Sequence, residues 1–190
     1  MNLGIAAFRG IVGSLFIGHG TQKLFGWFDG PGLDATAGGF EQMGLRPGRR
    51  HAAAAGLTEA VGGALLAVGA LTPVAASMLT GVMTTAIRKV HAPNGPWVTS
   101  GGWEYNAVII AGLAGLVEVG PGRPSVDAAL FPRLKGPVLA ALAVGSGVAG
   151  SYLVTERLNE GQSDVAPEMG AGDPASPDGA AQPEPAGASA

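Results

Sequence analysis

Apolar residues along the chain form five long runs, separated by short segments rich in glycine and proline. The runs cover residues 3–25, 51–71, 74–90, 103–119 and 138–154. Each approaches the length of about 20 predominantly apolar residues that a helix needs to cross the hydrocarbon layer of a bilayer. None alternates apolar and polar residues with the period of two that is typical of strands. The pattern therefore predicts an all-α, polytopic membrane helix bundle in contact with lipid.

The segments between the runs contain the residues expected at helix ends. Thr72-Pro73 stands between the second and third runs and predicts a tight antiparallel hairpin. Between the first two runs, apolar residues recur at helical spacing behind Asp34, a potential N-cap, which predicts a short interfacial helix near 34–44. Glycines inside the first two runs suit close helix contact in lipid. They are Gly10, Gly13, Gly18, Gly20, Gly56, Gly62 and Gly63.

Composition divides the chain into a membrane part and a tail. Residues 156–190 contain seven acidic side chains and one basic side chain among proline, alanine and glycine, and this composition predicts a disordered acidic tail. Residues 1–135 hold the first four predicted spans, and residues 136–155 hold the fifth. The side bearing the first and third loops and the tail holds seven of the eleven Lys and Arg residues, which places the tail in the cytoplasm by the positive-inside rule.

Up-and-down threading brings most intramembrane charge to one face of the bilayer. His19 and Lys23 lie at the end of the first run, Glu59 lies in the first half of the second, and Arg88 lies at the end of the third. A lone carboxylate at the depth of Glu59 costs several kcal/mol, so we expect it to pair with Lys23 or Arg88, or to be protonated. Arg9 and Glu118 lie at the opposite face, where they could pair with each other.

Aromatic side chains follow this polar cluster directly. Phe25, Trp27 and Phe28 stand beside a glycine turn and could form the wall of a pocket for an aromatic ring. An aromatic belt that anchors helix ends at the interface is the alternative, and it is the expected role of Trp97 and Trp103. The charged groups likewise have a purely structural alternative, in which Glu59 and one cation lock the helices together.

A histidine, a carboxylate and a flanking cation are the groups that a quinone site needs, because oxidation of a quinol releases protons together with electrons.

Bound haem is not expected, since only His19 lies within a span, and the spacings typical of metal sites are absent. No basic stripe favours nucleic acid. The chain has no cysteine, so any redox role depends on a bound cofactor. A transporter would need broken helices or an internal repeat, and neither is evident.

The segment FRGIVGSLFIGHGTQKLFGWFDGPG at residues 8–32, followed by GGFEQMGL and GLTEAVGGALLAVGALTP, resembles the DoxX family of small integral membrane proteins. The likeness extends over roughly residues 3–132, and its most specific part is G-H-G-x-x-K-L-F-G-W-F-x-G-P-G. The resemblance implies a four-helix core, here extended by a fifth transmembrane helix. Carried over to this chain, the motif points to Gly26 and Gly30 in addition to His19, Lys23, Phe25, Trp27 and Glu59.

The resemblance also implies two kinds of role, because DoxX-like proteins include subunits of quinone-linked oxidoreductases and membrane scaffolds for antioxidant complexes. We therefore expect a subunit of a quinone- or redox-linked assembly in a bacterial plasma membrane, with protein subunits as partners. In this interpretation Glu59 and His19 accept or relay protons, Lys23 and Arg88 set their charge state, and Phe25 with Trp27 packs against the quinone ring. The alternative is a non-catalytic anchor for soluble partner proteins.

Overall fold

The chain folds into helices joined by short loops. The computed structural model describes residues 2–160, and no strand occurs within that range. A π-helical turn (Ile87–His91) and two 3₁₀ turns (Ala92–Asn94 and Val98–Ser100) connect the fourth and fifth helices. The helices are α1 (Leu3–Phe25), α2 (Gly32–Gln42), α3 (Gly48–Val68), α4 (Thr72–Ala86), α5 (Glu104–Val119), α6 (Val126–Leu130) and α7 (Pro137–Glu160).

Three helices are long and apolar enough to cross a membrane, namely α1, α3 and the part of α7 up to Arg157. The other two predicted spans correspond to α4 and α5, which have 15 and 16 residues. The all-helical prediction is confirmed, whereas the count of five spans stays a prediction. Many large apolar side chains point away from the bundle, including Ile11, Val108 and Leu142, as expected for helices whose outer surface faces lipid.

Glycines hold α1 and α3 in close antiparallel contact. A Cβ added at Gly13 would lie 2.6 Å from the carbonyl oxygen of Gly63, and one added at Gly20 would lie 2.5 Å from that of Gly56. Backbones approach this closely only where side chains are absent, which confirms the predicted use of these four glycines. A Cβ at Gly10 or Gly18 would meet no neighbouring atom within 4 Å, so the prediction was wrong for those two positions.

The predicted hairpin forms between α3 and α4, with residues 69–71 as its loop. The buried carboxylate of Asp127 accepts hydrogen bonds from the backbone N–H groups of Leu71 (2.8 Å) and Thr72 (2.7 Å). This carboxylate satisfies donors that the first turn of α4 leaves without intrahelical partners. The main apolar core lies beyond this turn, where Leu66 of α3 and Leu79 of α4 pack with residues of α1, α5 and α7.

Helix α2 occupies the place predicted for the short helix, but it begins two residues earlier. Asp34 lies in its first turn and not at the N-cap, where Pro31 stands instead. The helix packs against the start of α3, where a Cβ at Gly48 would collide with the carbonyl oxygen of Ala37. The Glu41 side chain also accepts a hydrogen bond from the Gly48 N–H (3.1 Å). α2 therefore fixes the point at which α3 begins.

The predicted pairing of Arg9 with Glu118 was wrong. Arg9 is 2% exposed and donates a hydrogen bond to the carbonyl oxygen of Pro124, while Glu118 lies on the exposed surface. The acidic residue near Arg9 is Asp127: its N–H donates to the carbonyl oxygen of Gly69 (2.9 Å), and the Arg9 guanidinium lies against Gly69. The short helix α6, which the apolar pattern did not predict, carries Asp127 back into the bundle.

Helix α7 is longer than the predicted fifth span. It continues through residues 156–160, which the acidic composition assigned to the tail. Asn159, near its end, accepts a hydrogen bond from the Arg46 N–H (2.7 Å) and donates one to the carbonyl oxygen of Gly44 (3.1 Å). The end of α7 is thus attached to the loop before α3. The rest of the predicted tail, residues 161–190, lies outside the described residues.

Candidate functional site

The closest pair of charged groups inside the bundle joins α1 to α3. The Lys23 Nζ lies 2.6 Å from Glu59 Oε2, and Glu59 is 4% exposed. Because α1 and α3 are antiparallel, the end of α1 meets the first half of α3, as the threading predicts. Of the two cations expected to pair with Glu59, the structure assigns Lys23. A hydrogen-bonded pair of opposite charges reduces the cost of burying the carboxylate.

His19 lies one turn before Lys23, but its ring does not contact the carboxylate of Glu59. Its Nδ1 lies 3.2 Å from Gln22 Oε1, and its backbone carbonyl oxygen accepts a hydrogen bond from Lys23 Nζ (3.4 Å). Lys23 Nζ carries three protons, and these two contacts engage two of them. One N–H of Lys23 therefore remains for a further acceptor.

Arg88 does not join this cluster. Its guanidinium lies over the ring of Tyr152, 3.4 Å from the centroid, and donates to the hydroxyl oxygens of Ser151 (3.2 Å) and Thr155 (3.4 Å). All three partners belong to α7. The arginine thus fastens the π turn after α4 to α7, and the expectation that Arg88 lies beside Glu59 was wrong.

The aromatic and glycine residues of the motif form a turn at the end of α1. Gly26 ends the helix with a φ of 71° and its N–H donates to the carbonyl oxygen of Gln22 (3.2 Å). A Cβ at Gly30 would lie 2.5 Å from the Cβ of Gln22, so only glycine fits there. The rings of Phe25 and Trp27 lie 5.4 Å apart, and both side chains are more than half exposed. This turn packs on Gln22 and presents its aromatic rings outward.

A cavity of about 620 Å³ lies among α1, α3, α4, α5 and α7, and most of its wall is apolar. This volume is typical of sites for small molecules. Its lining includes Lys23, Glu59 and His19, so the ion pair supplies charge to an otherwise apolar space. Arg88, Phe25, Trp27, Gly26 and Gly30 are not among the lining residues.

Comparison with protein families places Lys23 and Glu59 in one domain. Residues 4–92 match the DoxX family model. This segment is a DoxX domain. It contains α1 to α4 and the π turn, and with them the ion pair and a large part of the cavity wall. Neither curated proteins nor solved structures gave a match to the chain.

The DoxX match over residues 4–92, together with the apolar helices, makes the chain a multi-pass membrane protein. The match ends at Ala92, whereas the motif likeness predicted a resemblance up to residue 132. α5, α6 and α7 therefore lie outside the matched DoxX domain. Two of them, α5 and α7, nevertheless complete the cavity.

The buried polar residues that line the cavity but were not selected from the sequence include His51 and Asn106. His51, at the start of α3, is 4% exposed, and its Nε2 lies 3.0 Å from Asn159 Oδ1. Asn106, in the first turn of α5, is 4% exposed and donates to the sulfur of Met83 (3.3 Å). An asparagine within a transmembrane run is a signal that could have identified Asn106. His51 stands at the edge of its apolar run, which gave no reason to expect burial.

Proposed function

We propose that this protein is the membrane subunit of a quinone-linked oxidoreductase assembly in a bacterial plasma membrane. The observation that carries the proposal is the cavity in which an apolar wall surrounds the buried Lys23–Glu59 ion pair. Quinones combine a polar ring with an apolar tail, and a site for them requires both features.

The residues present fit such a ligand. The apolar wall suits the tail, and the remaining N–H of Lys23 is a donor for a ring oxygen. His19 adds a second polar group at the same cavity. A bound quinone supplies reversible two-electron, two-proton chemistry. Electrons would pass to a redox centre on another subunit of the assembly.

The roles of the side chains follow from their contacts. Lys23 holds the carboxylate of Glu59 in place through the 2.6 Å contact between Nζ and Oε2. An ionised carboxylate can accept a proton from a ring hydroxyl, and protonation then weakens its bond to Lys23. His19 lines the same cavity one turn before Lys23, and its exposed ring is the second group that accepts or relays a proton.

Purification in a mild detergent, followed by extraction and chromatography of bound quinone, tests this proposal. We expect the wild-type protein to retain quinone and Glu59→Gln to retain it while losing quinone-dependent activity in membranes. Glu118→Gln is the matched control, because Glu118 is exposed and does not line the cavity. Absence of quinone from the wild-type protein, with full activity of Glu59→Gln, would contradict the proposal.

A non-catalytic anchor for soluble redox proteins is the second candidate. Two observations favour it: the ion pair lies one turn from the close Gly20–Gly56 contact, where it can lock α1 to α3, and Phe25, Trp27 and Phe28 present an exposed aromatic surface. On this alternative, Glu59→Gln lowers the amount of folded protein in the membrane. Replacing Trp27 by alanine then releases a partner protein without affecting folding.

A further inference from the structure

Helix α7 forms one wall of the cavity although it lies outside the DoxX domain. Six of its residues line the cavity: Ser146, Gly147, Gly150, Ser151, Val154 and Thr155. They recur at intervals of three and four, so they share one face of the helix. That face is held by hydrogen bonds between the hydroxyl groups of Ser146 and Ser77 (2.8 Å) and between those of Ser151 and Thr85 (2.8 Å).

The two glycines of this face differ in what surrounds them. A Cβ at Gly147 would lie 2.5 Å from the carbonyl oxygen of Ser77, so Gly147 allows α4 and α7 to approach. A Cβ at Gly150 would meet no atom within 4 Å. Close packing therefore does not require glycine at position 150. Since Gly150 lines the cavity, a side chain placed there would occupy cavity space.

We propose that α7 determines which ligand the cavity accepts, and that the missing side chain at Gly150 leaves room for the apolar tail of a quinone. The inference rests on the proposed function in taking the cavity as a quinone site. The DoxX domain supplies the charged groups for the ring, and α7 supplies the wall along which the tail lies. Charge divides the cavity in the same way, because α7 lines it with glycine, valine and hydroxyl side chains, whereas the ion pair belongs to α1 and α3.

Gly150→Phe tests this arrangement, with Gly145→Phe as the matched control. Gly145 is in the same helix, and a Cβ there also meets nothing within 4 Å, but Gly145 does not line the cavity. Binding of decylubiquinone and of the tail-less ubiquinone-0 is measured by calorimetric titration at one detergent concentration. Gly150→Phe should weaken decylubiquinone binding at least about tenfold, because excluding two methylene groups is sufficient for that change. Its affinity for ubiquinone-0 should stay within about twofold, and Gly145→Phe should change neither affinity.

The outcomes separate this inference from the proposed function. If the wild-type protein binds both quinones and Gly150→Phe affects them equally or not at all, the role of α7 is wrong while the quinone site stands. If the wild-type protein binds neither quinone, the proposed function fails, and farnesol serves as a tail-only probe. Weaker farnesol binding by Gly150→Phe than by Gly145→Phe would support the wall formed by α7. Unchanged or absent farnesol binding would overturn it. Size-exclusion profiles of all three proteins check that they are folded.

Discussion

Lys23 and Glu59 show how far reasoning from single residues reaches in a membrane helix bundle. Charge and depth require a partner for Glu59, and antiparallel threading brings Lys23 to it, so their contact could be predicted from the sequence. Arg88 could not be placed in the same way. The π turn at Ile87–His91 changes the angular position of the residues that follow α4, and a 3.6-residue period does not describe it. Arg88 consequently reaches α7, whereas Lys89 and His91 line the cavity.

Lys23→Ala should destabilise the protein strongly, because it leaves the carboxylate of Glu59 buried without its cation. We expect a loss of about 3 kcal/mol in the free energy of unfolding, the lower end of the range for broken buried pairs, since Lys23 is partly exposed. Reversible unfolding in detergent micelles measures the change. The double variant Lys23→Ala/Glu59→Gln should recover part of the loss, because no charge then remains buried. Equal destabilisation by the single and double variants would contradict this account.

At the scale of helices, small residues decide which elements touch. The composition of α1 and α3 indicates that their glycines form helix contacts, but it does not show which glycines face the partner helix. Four of the seven lie against the backbone of the other helix, whereas Gly62 lies against Leu79 of α4. The attachment of α7 was also not predictable. It depends on hydroxyl pairs such as Ser77 and Ser146, separated by 69 residues, and serine in an apolar run carries no indication of its partner.

Gly20→Ala should destabilise the protein, whereas Gly18→Ala should not. Both changes remove a glycine from the interior of α1, which favours the helix by up to roughly 1 kcal/mol. At position 20 the new methyl group would collide with the backbone of Gly56, so we expect a net loss of about 1–3 kcal/mol. At position 18 the methyl group meets open space, and stability should be unchanged or slightly higher. Thermal unfolding in detergent measures both, and a similar loss at the two positions would show that backbone contact is not the cause.

The packing of α7 on α4 can be tested by cross-linking, because the chain has no native cysteine. Ser77→Cys/Ser146→Cys replaces two hydroxyl groups that lie 2.8 Å apart, and mild oxidation should join the two cysteines completely. Ser77→Cys/Gly145→Cys is the control, since residue 145 lies one position around the helix on its exposed side. A shift in electrophoretic mobility without reductant reports the bond. Equal cross-linking of both pairs would indicate that α7 does not hold one orientation.

At the scale of the whole molecule, the part of the chain that the structure describes has two buried charged clusters, at opposite ends of the bundle. Lys23 and Glu59 lie toward the end of α1, whereas Arg9 lies near its start, close to the cap that Asp127 provides for α4. Lys23 and Glu59 of the first cluster line the cavity, whereas Arg9 and Asp127 of the second do not. The sequence indicated the first cluster. It missed Asp127, because the donors it binds lie 55 and 56 residues away.

The asymmetry of the basic residues predicts an orientation of the bundle in the membrane. By the positive-inside rule, the loop between α4 and α5 should be cytoplasmic and the loop between α5 and α7 should lie outside. A membrane-impermeant maleimide applied to intact bacteria should therefore label Ala129→Cys and leave Thr99→Cys unlabelled until the membrane is permeabilised. Both positions are exposed, and no other cysteine competes for the reagent. The reverse pattern would show that the cavity's charged end faces away from the cytoplasm.

The glycines that join α1 to α3 stand seven residues apart in each helix, at 13 and 20 and at 56 and 63. A repeat of this kind permits slippage: if α3 slid along α1 by one repeat, a glycine would again face a glycine. Such a shift of roughly 10 Å would separate Lys23 from Glu59 and leave both charged groups without a partner of opposite charge. The ion pair therefore selects one register of α1 against α3 among those that the glycines alone would allow.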